Sequence, residues 1–170
     1  MAQVIYRHCI TSPIGPLNLL VDRNGRVINI LFTQNPPVMP DQLIEDNKYA
    51  CGQLAWELDE YFAGKRQQFS VEILPQGSSF QKSIWSYLLK VPYGTKLSYG
   101  ELAKKSGRKG AARVVASAVA GNPIPIIIPC HRIVPAHGGT GFYALRQLPA
   151  NEGSRIKKIL LDLEASHRTN

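Results

Sequence analysis

Between Gly121 and Val134 the chain runs Gly-Asn-Pro-Ile-Pro-Ile-Ile-Ile-Pro-Cys-His-Arg-Ile-Val, and this stretch restricts the backbone most tightly. Proline lacks an N–H and fixes φ, so Pro123, Pro125 and Pro129 forbid both a regular helix and a central strand. Ile124, Ile126, Ile127 and Ile128 demand burial. Together they predict a rigid, buried, extended run that carries Cys130 on an inflexible support. A thiol is a nucleophile only as the thiolate, so its pKa of roughly 8.5 must be lowered by a cation, an imidazole or a helix N-terminus. His131 and Arg132 follow directly. Adjacent side chains of an extended segment face opposite ways, so pairing Cys130 with His131 requires a bridging water or a local helical turn. A structural cysteine fits the same residues, and this segment alone leaves both readings open.

The rest of the chain divides by charge. Of 170 residues, 44% are apolar and 19% charged, which suits a packed core and excludes a disordered chain. Residues 1–79 carry a net −2 and residues 80–170 a net +10. Between Lys82 and Arg113 stand eight basic residues and one acid, Glu101. A polyanion partner, most simply nucleic acid, explains this asymmetry, and so does a solvated face. No stretch reaches the roughly 18 apolar residues of a membrane span, so no membrane partner is expected. The N-terminus has no basic region leading into an apolar one. Cys9, Cys51 and Cys130 cannot all pair within one chain, which points to a reducing compartment: cytoplasm, or nucleus in a eukaryote. Cys9, Cys51 and His8 lack convincing ligand spacing, so no metal is expected.

Residues 1–76 read as an N-terminal domain of antiparallel strands and a helix. Strands are expected at Val4–Tyr6, Leu17–Val21 and Val27–Phe32, the last two joined through Asn24-Gly25. A loop covers Asn35–Pro40, an amphipathic helix runs from about Gln42 to Phe62, and a strand returns from Phe69 to Leu74. The break Pro75-Gln76-Gly77-Ser78 coincides with the charge switch and marks the expected boundary.

Residues 77–170 read as mostly helical. Ser79 is the expected cap of a helix that Pro92-Tyr93-Gly94 terminates. Ser98 caps Tyr99–Lys105, with Glu101 at the capping-box position. A glycine turn, Ser106–Gly110, leads to a helix of small residues, Ala111–Ala120. Two short helices around such a turn fit a helix-turn-helix or any helical hairpin. The second helix offers only Arg113 and Ser117 as polar groups, too few for a major-groove reader. Its small side chains permit close approach to a minor groove or tight burial. An arginine on a smooth face can fill the gap left by an extruded base.

Pro129-Cys130-His131-Arg132-Ile133-Val134 resembles the active-site signature of the O6-alkylguanine-DNA alkyltransferases, also called methylated-DNA–protein-cysteine methyltransferases. Ser79-Phe80-Gln81, Val91-Pro92-Tyr93-Gly94, Ser98-Tyr99-Gly100-Glu101-Leu102-Ala103, Ala111-Ala112-Arg113 and Gly121-Asn122-Pro123-Ile124-Pro125 follow in family order. The resemblance implies an α+β fold: an N-terminal α/β domain with a small antiparallel sheet, then a helical C-terminal domain with a winged-helix-like helix-turn-helix and the active-site cysteine. It implies single-turnover repair of O6-alkylguanine, with O4-methylthymine a second candidate lesion, by a monomer bound to the minor groove of double-stranded DNA, with no cofactor. Cys130 is then the alkyl acceptor. His131 is the base that acts through water, Glu164 orients it, and Tyr99 rotates the nucleotide and is a candidate proton donor. Arg113 is the intercalating finger, and Ser98, Ala112, Val114 and Ser117 share the DNA face. Asn122 is the hinge, while Pro129, Arg132, Val134, Tyr143 and Lys157 belong to the pocket and its support.

Two departures stand out. Residues 144–155 form a longer, bulkier loop than the family pattern, ahead of a closing helix that includes Lys157–Glu164. Val114, Ala116 and Ser117 are slightly large for the recognition helix. A lesion-binding relative without transfer activity lacks the acceptor cysteine, so Cys130 argues against that alternative. A cysteine hydrolase needs oxyanion donors that are not evident, and a plain transcription factor leaves Pro-Cys-His-Arg unexplained.

Overall fold

The computed structural model describes residues 2–33 and 40–168. Most of the loop expected at Asn35–Pro40 lies outside these residues. The chain forms two compact units, 1–76 and 77–170.

The first unit is built on a four-stranded sheet. Its strands are β1 (Gln3–Ile10), β2 (Leu17–Val21), β3 (Val27–Leu31) and β4 (Gln42–Asp46), in the order β3-β2-β1-β4. The first three pair antiparallel and β4 pairs parallel with β1, so the sheet is mixed rather than purely antiparallel. At the β2–β3 turn Asp22 Oδ1 accepts from the backbone N–H of Asn24 and of Arg26, both at 2.9 Å. Only Gly25 takes positive φ there. Ile5, Leu20, Ile28 and Leu31 form one core cluster, with Ile44 and Leu74 packed against it.

Helix α1 covers Gly52–Phe62, not Gln42–Phe62. Two of the apolar residues that suggested the longer helix, Leu43 and Tyr49, are 50% and 83% exposed. Residues 42–46 instead satisfy the open edge of β1, a pairing that local periodicity cannot reveal. Asn47 Oδ1 then accepts from the Tyr49 and Ala50 N–H groups and turns the chain toward α1. The strand expected at Phe69–Leu74 reduces to one bridge, Ile73 beside Val27. Its start is held by a buried side chain, because Glu57 Oε1 accepts from Ser70 N–H at 2.6 Å.

The second unit contains α2 (Ser79–Leu88), β5 (Leu97–Ser98), α3 (Tyr99–Lys105), α4 (Ala112–Ala120), a 3-10 turn (Cys130–Arg132), β6 (Ile133–Val134) and α5 (Ala150–His167). Ser78, not Ser79, caps α2, in a capping box with Gln81. Ser98 Oγ accepts from Glu101 N–H at 3.0 Å and starts α3 where expected. Gly107 and Gly110, both at positive φ, turn the chain into α4. The indole Trp85 N–H donates to the Ala118 carbonyl and ties α2 to α4.

The proline-rich run is buried but not extended. Ile126 adopts φ +76°, Ile128 N–H donates to Ile124 O at 3.0 Å, and Cys130 N–H donates to Ile128 O at 2.8 Å. The prolines prevent a ladder, so the chain closes its polar groups in successive turns. Helix α5 also begins earlier than the long-loop reading allowed. Pro149 precedes its first turn, where a fixed φ is tolerated, and residues 150–155 are helical.

Candidate active site

The site forms where β5 and β6 pair in parallel, Leu97 with Ile133 and Ser98 with Val134. This pairing brings the start of α3, with Tyr99, to the segment that carries Cys130. Cys130 opens the 3-10 turn after the buried Pro129. Of the two routes to a Cys130–His131 relationship, the structure contains the helical turn.

Asn122 fixes the approach to that turn. Its Nδ2 donates to Ile128 O at 2.7 Å and its Oδ1 accepts from Ile124 N–H at 2.9 Å. One side chain thus joins the end of α4 to the residues just before Cys130.

Glu164 on α5 is the centre of the buried polar network. Its Oε2 lies 2.6 Å from His131 Nε2, and Arg132 donates to both oxygens, from Nε at 2.8 Å and Nη2 at 3.0 Å. Arg132 Nη1 also donates to Val91 O, and Gly94 N–H to Glu164 Oε1. A carboxylate only accepts, so His131 Nε2 carries the hydrogen. Burial lowers the His131 pKa against the pull of Glu164, which favours the neutral imidazole. His131 Nδ1 is therefore a lone-pair acceptor, and it is buried with no hydrogen-bond partner among the described residues. Burial alone would raise the Glu164 carboxyl, but hydrogen bonds from His131 and Arg132 and the Arg132 charge hold it well below the usual carboxylate range.

Burial pushes the Cys130 thiol up, opposed by a hydrogen bond from Asn122 and by the charge of Lys157. The residue as a whole keeps 9% of its surface exposed. Lys157 Nζ donates to Ile133 O at 2.6 Å and Phe142 O at 3.3 Å. Burial lowers its pKa to about 8. Burial raises the Tyr99 and Tyr143 phenols. Val134 is half-buried on β6.

The expected DNA-face residues lie on α4 and at the start of α3. Arg113, Val114 and Ser117 are exposed on α4, and Ala112 is half-buried at its start. Ser98 directs its hydroxyl into the α3 cap.

Residues 79–166 match the family model of the 6-O-methylguanine DNA methyltransferase DNA-binding domain, and residues 5–75 that of its ribonuclease-like domain. The chain belongs to the 6-O-methylguanine DNA methyltransferase family. A Methanosarcina acetivorans relative, a methylated-DNA–protein-cysteine methyltransferase, is 38% identical over 95% of this chain and 99% of its own length. A Mycobacterium leprae protein of the same name is 40% identical over 92% of each chain. The Mycobacterium tuberculosis OGT, crystallised in complex with DNA, superposes with a TM-score of 0.84 at 36% identity, covering 95% of this chain and 94% of that one.

For this methyltransferase-family chain, three contributions escaped the sequence reading. Gly94, read as a helix terminator and as part of a family motif, supplies an N–H to Glu164 at a positive φ of 75°. Val91 supplies a carbonyl to Arg132. Gly153 has no room for a side chain, because a Cβ there would overlap the Tyr143 carbonyl oxygen. Backbone contributions of this kind leave no mark in residue type, except that a glycine is required.

Proposed function

We propose that this chain repairs DNA by moving the alkyl group of an O6-alkylguanine from duplex DNA to Cys130, once per molecule. The observation that carries this reading is the 2.6 Å contact between His131 Nε2 and Glu164 Oε2 beside the Cys130 turn. It leaves Nδ1 of a neutral, buried imidazole as the base. The family membership and the near full-length similarity to methylated-DNA–protein-cysteine methyltransferases support the same reaction.

The thiol is protonated at rest, because burial raises its pKa. His131 Nδ1 takes that proton through a water, and Lys157 and Asn122 stabilise the resulting thiolate. The thiolate attacks the alkyl carbon in line with its bond to guanine O6. The C–S bond forms as the C–O bond breaks, and the electron pair leaves on the base. Tyr99, whose raised pKa keeps its phenol protonated, donates a proton toward the leaving base. The reaction is a displacement at an sp³ carbon and needs no oxyanion hole. Its product is a thioether, which no ordinary side chain hydrolyses, so the protein acts once.

Arg113, Val114 and Ser117 form the face laid in the minor groove, with Arg113 replacing the everted base. The test is a titration of the protein with duplex holding O6-methylguanine labelled in its methyl group. Label is expected to move to protein in a one-to-one ratio and then stop. Label that stays on DNA after tight binding identifies a lesion binder instead.

A further inference from the structure

Helix α4 presents Arg113, Val114, Ser117 and Ala120 to solvent. At 1.5 Å rise per residue, Arg113 and Gly121 bracket a face about 12 Å long. Arg113 supplies a cation at one end. The other end is reached by a residue far along the chain: a Cβ on Gly121 would stand 3.5 Å from Nη1 of Arg146.

The segment that carries Arg146 is held in place. Ala144 adopts φ +53°, and the N–H groups of Gln147 and Leu148 both donate to Ala144 O at 2.9 Å. On either side, Ser154 Oγ donates to Gly141 O at 2.9 Å, and Gly153 backs directly onto the Tyr143 carbonyl. Arg146 is exposed, and no carboxylate among the described residues forms an ion pair with it. Its neighbours Phe142 and Leu145 are 64% and 51% exposed. An uncompensated guanidinium beside exposed apolar groups, at the margin of a smooth helix face, suits a surface laid along a nucleic-acid groove.

We propose that Arg146 contacts the DNA phosphate backbone at the C-terminal end of α4, so that Arg113 and Arg146 bracket the docked helix. This rests on the duplex-binding reading above. A duplex carries one negative charge per roughly 1.7 Å of axis, so a cation at either end of the α4 face meets phosphate. The competing role is local: a cation near the α4 C-terminus stabilises the helix dipole. The two roles separate by salt dependence, because only a phosphate contact releases counterions.

The experiment measures the affinity of the wild-type chain, Arg146→Ala and Arg146→Lys for an undamaged duplex across a range of KCl concentrations, with Tm recorded for each. Arg146→Ala is expected to bind more weakly and to lower the slope of log K against log salt by about 1, at an unchanged Tm. Arg146→Lys is expected to keep the wild-type slope. A wild-type slope in Arg146→Ala overturns the proposal, as does a lysine variant that loses slope like the alanine. A flat response in the wild-type chain overturns the duplex-binding reading itself, a failure distinct from that of Arg146.

Discussion

His131 Nε2 and Glu164 Oε2 lie 2.6 Å apart although 33 positions separate them in sequence. The same carboxylate takes two hydrogen bonds from Arg132 and one from the Gly94 N–H. Orientation of the proposed base and one anchor of α5 therefore depend on the same side chain.

Glu164→Gln removes the only carboxylate paired with Arg132 among the described residues and leaves a buried guanidinium uncompensated. Breaking a buried pair from one side costs about 3–5 kcal/mol. Urea unfolding is expected to show a loss of that order, and single-turnover alkyl transfer is expected to slow. Wild-type stability in this variant contradicts the assigned network.

On the acid side, two depressed groups of the buried network make stability depend on pH. The folded His131 resists protonation, whereas an unfolded histidine titrates near ~6.5. Below that pH the unfolded chain binds the extra proton, so stability falls as pH drops. Glu164 adds a second decline below ~4.3, because its folded pKa is also depressed. Denaturation midpoints measured from pH 8 to pH 3 check both limbs. His131→Gln is expected to remove the His131 contribution to the upper limb and keep the lower one.

Arg113 tests the DNA face. It is exposed near the start of α4, outside the buried network at Cys130. Arg113→Ala is expected to reduce reaction with duplex O6-methylguanine more than with the free alkylated base, because only a duplex has a gap to fill. Rates on both substrates decide it, and equal losses count against the finger.

Gly153 tests the fit between α5 and the residues around Tyr143. A Cβ at Gly153 meets a backbone carbonyl, which cannot move aside as a flexible side chain does. Gly153→Ala is expected to destabilise by ~1–3 kcal/mol, at about 2–4 °C in Tm per kcal/mol for a chain of this size. Thermal melting provides the measurement, and an unshifted Tm refutes the close approach.

The proposed site could be read from contiguous chemistry: Pro129 through Val134 holds the proposed acceptor, base and support in six residues. The conformation of the run before it could not. Three prolines exclude ladders, but nothing in residue type announces positive φ at the β-branched Ile126. The β4 pairing was hidden for a different reason. Leu43 and Tyr49 complete a helical stripe on paper, whereas the unsatisfied edge of β1 decides the outcome. The resemblance implied Glu164 as a partner for His131, but its bidentate hold on Arg132 depends on how α5 packs. Ser78 and Ser79 are equivalent caps by type, and Gln81 selects Ser78 by completing the reciprocal hydrogen bond.

The central assignment is Cys130 as the alkyl acceptor. Its most direct test is the intact mass of the protein after incubation with a duplex containing O6-methylguanine, followed by peptide mapping. The expected result is one added methylene, about 14 Da, on the peptide with Cys130, and no gain in Cys130→Ala, which still binds the duplex. An unchanged mass in the wild-type chain, or a methyl group found on Cys9 or Cys51, would contradict it.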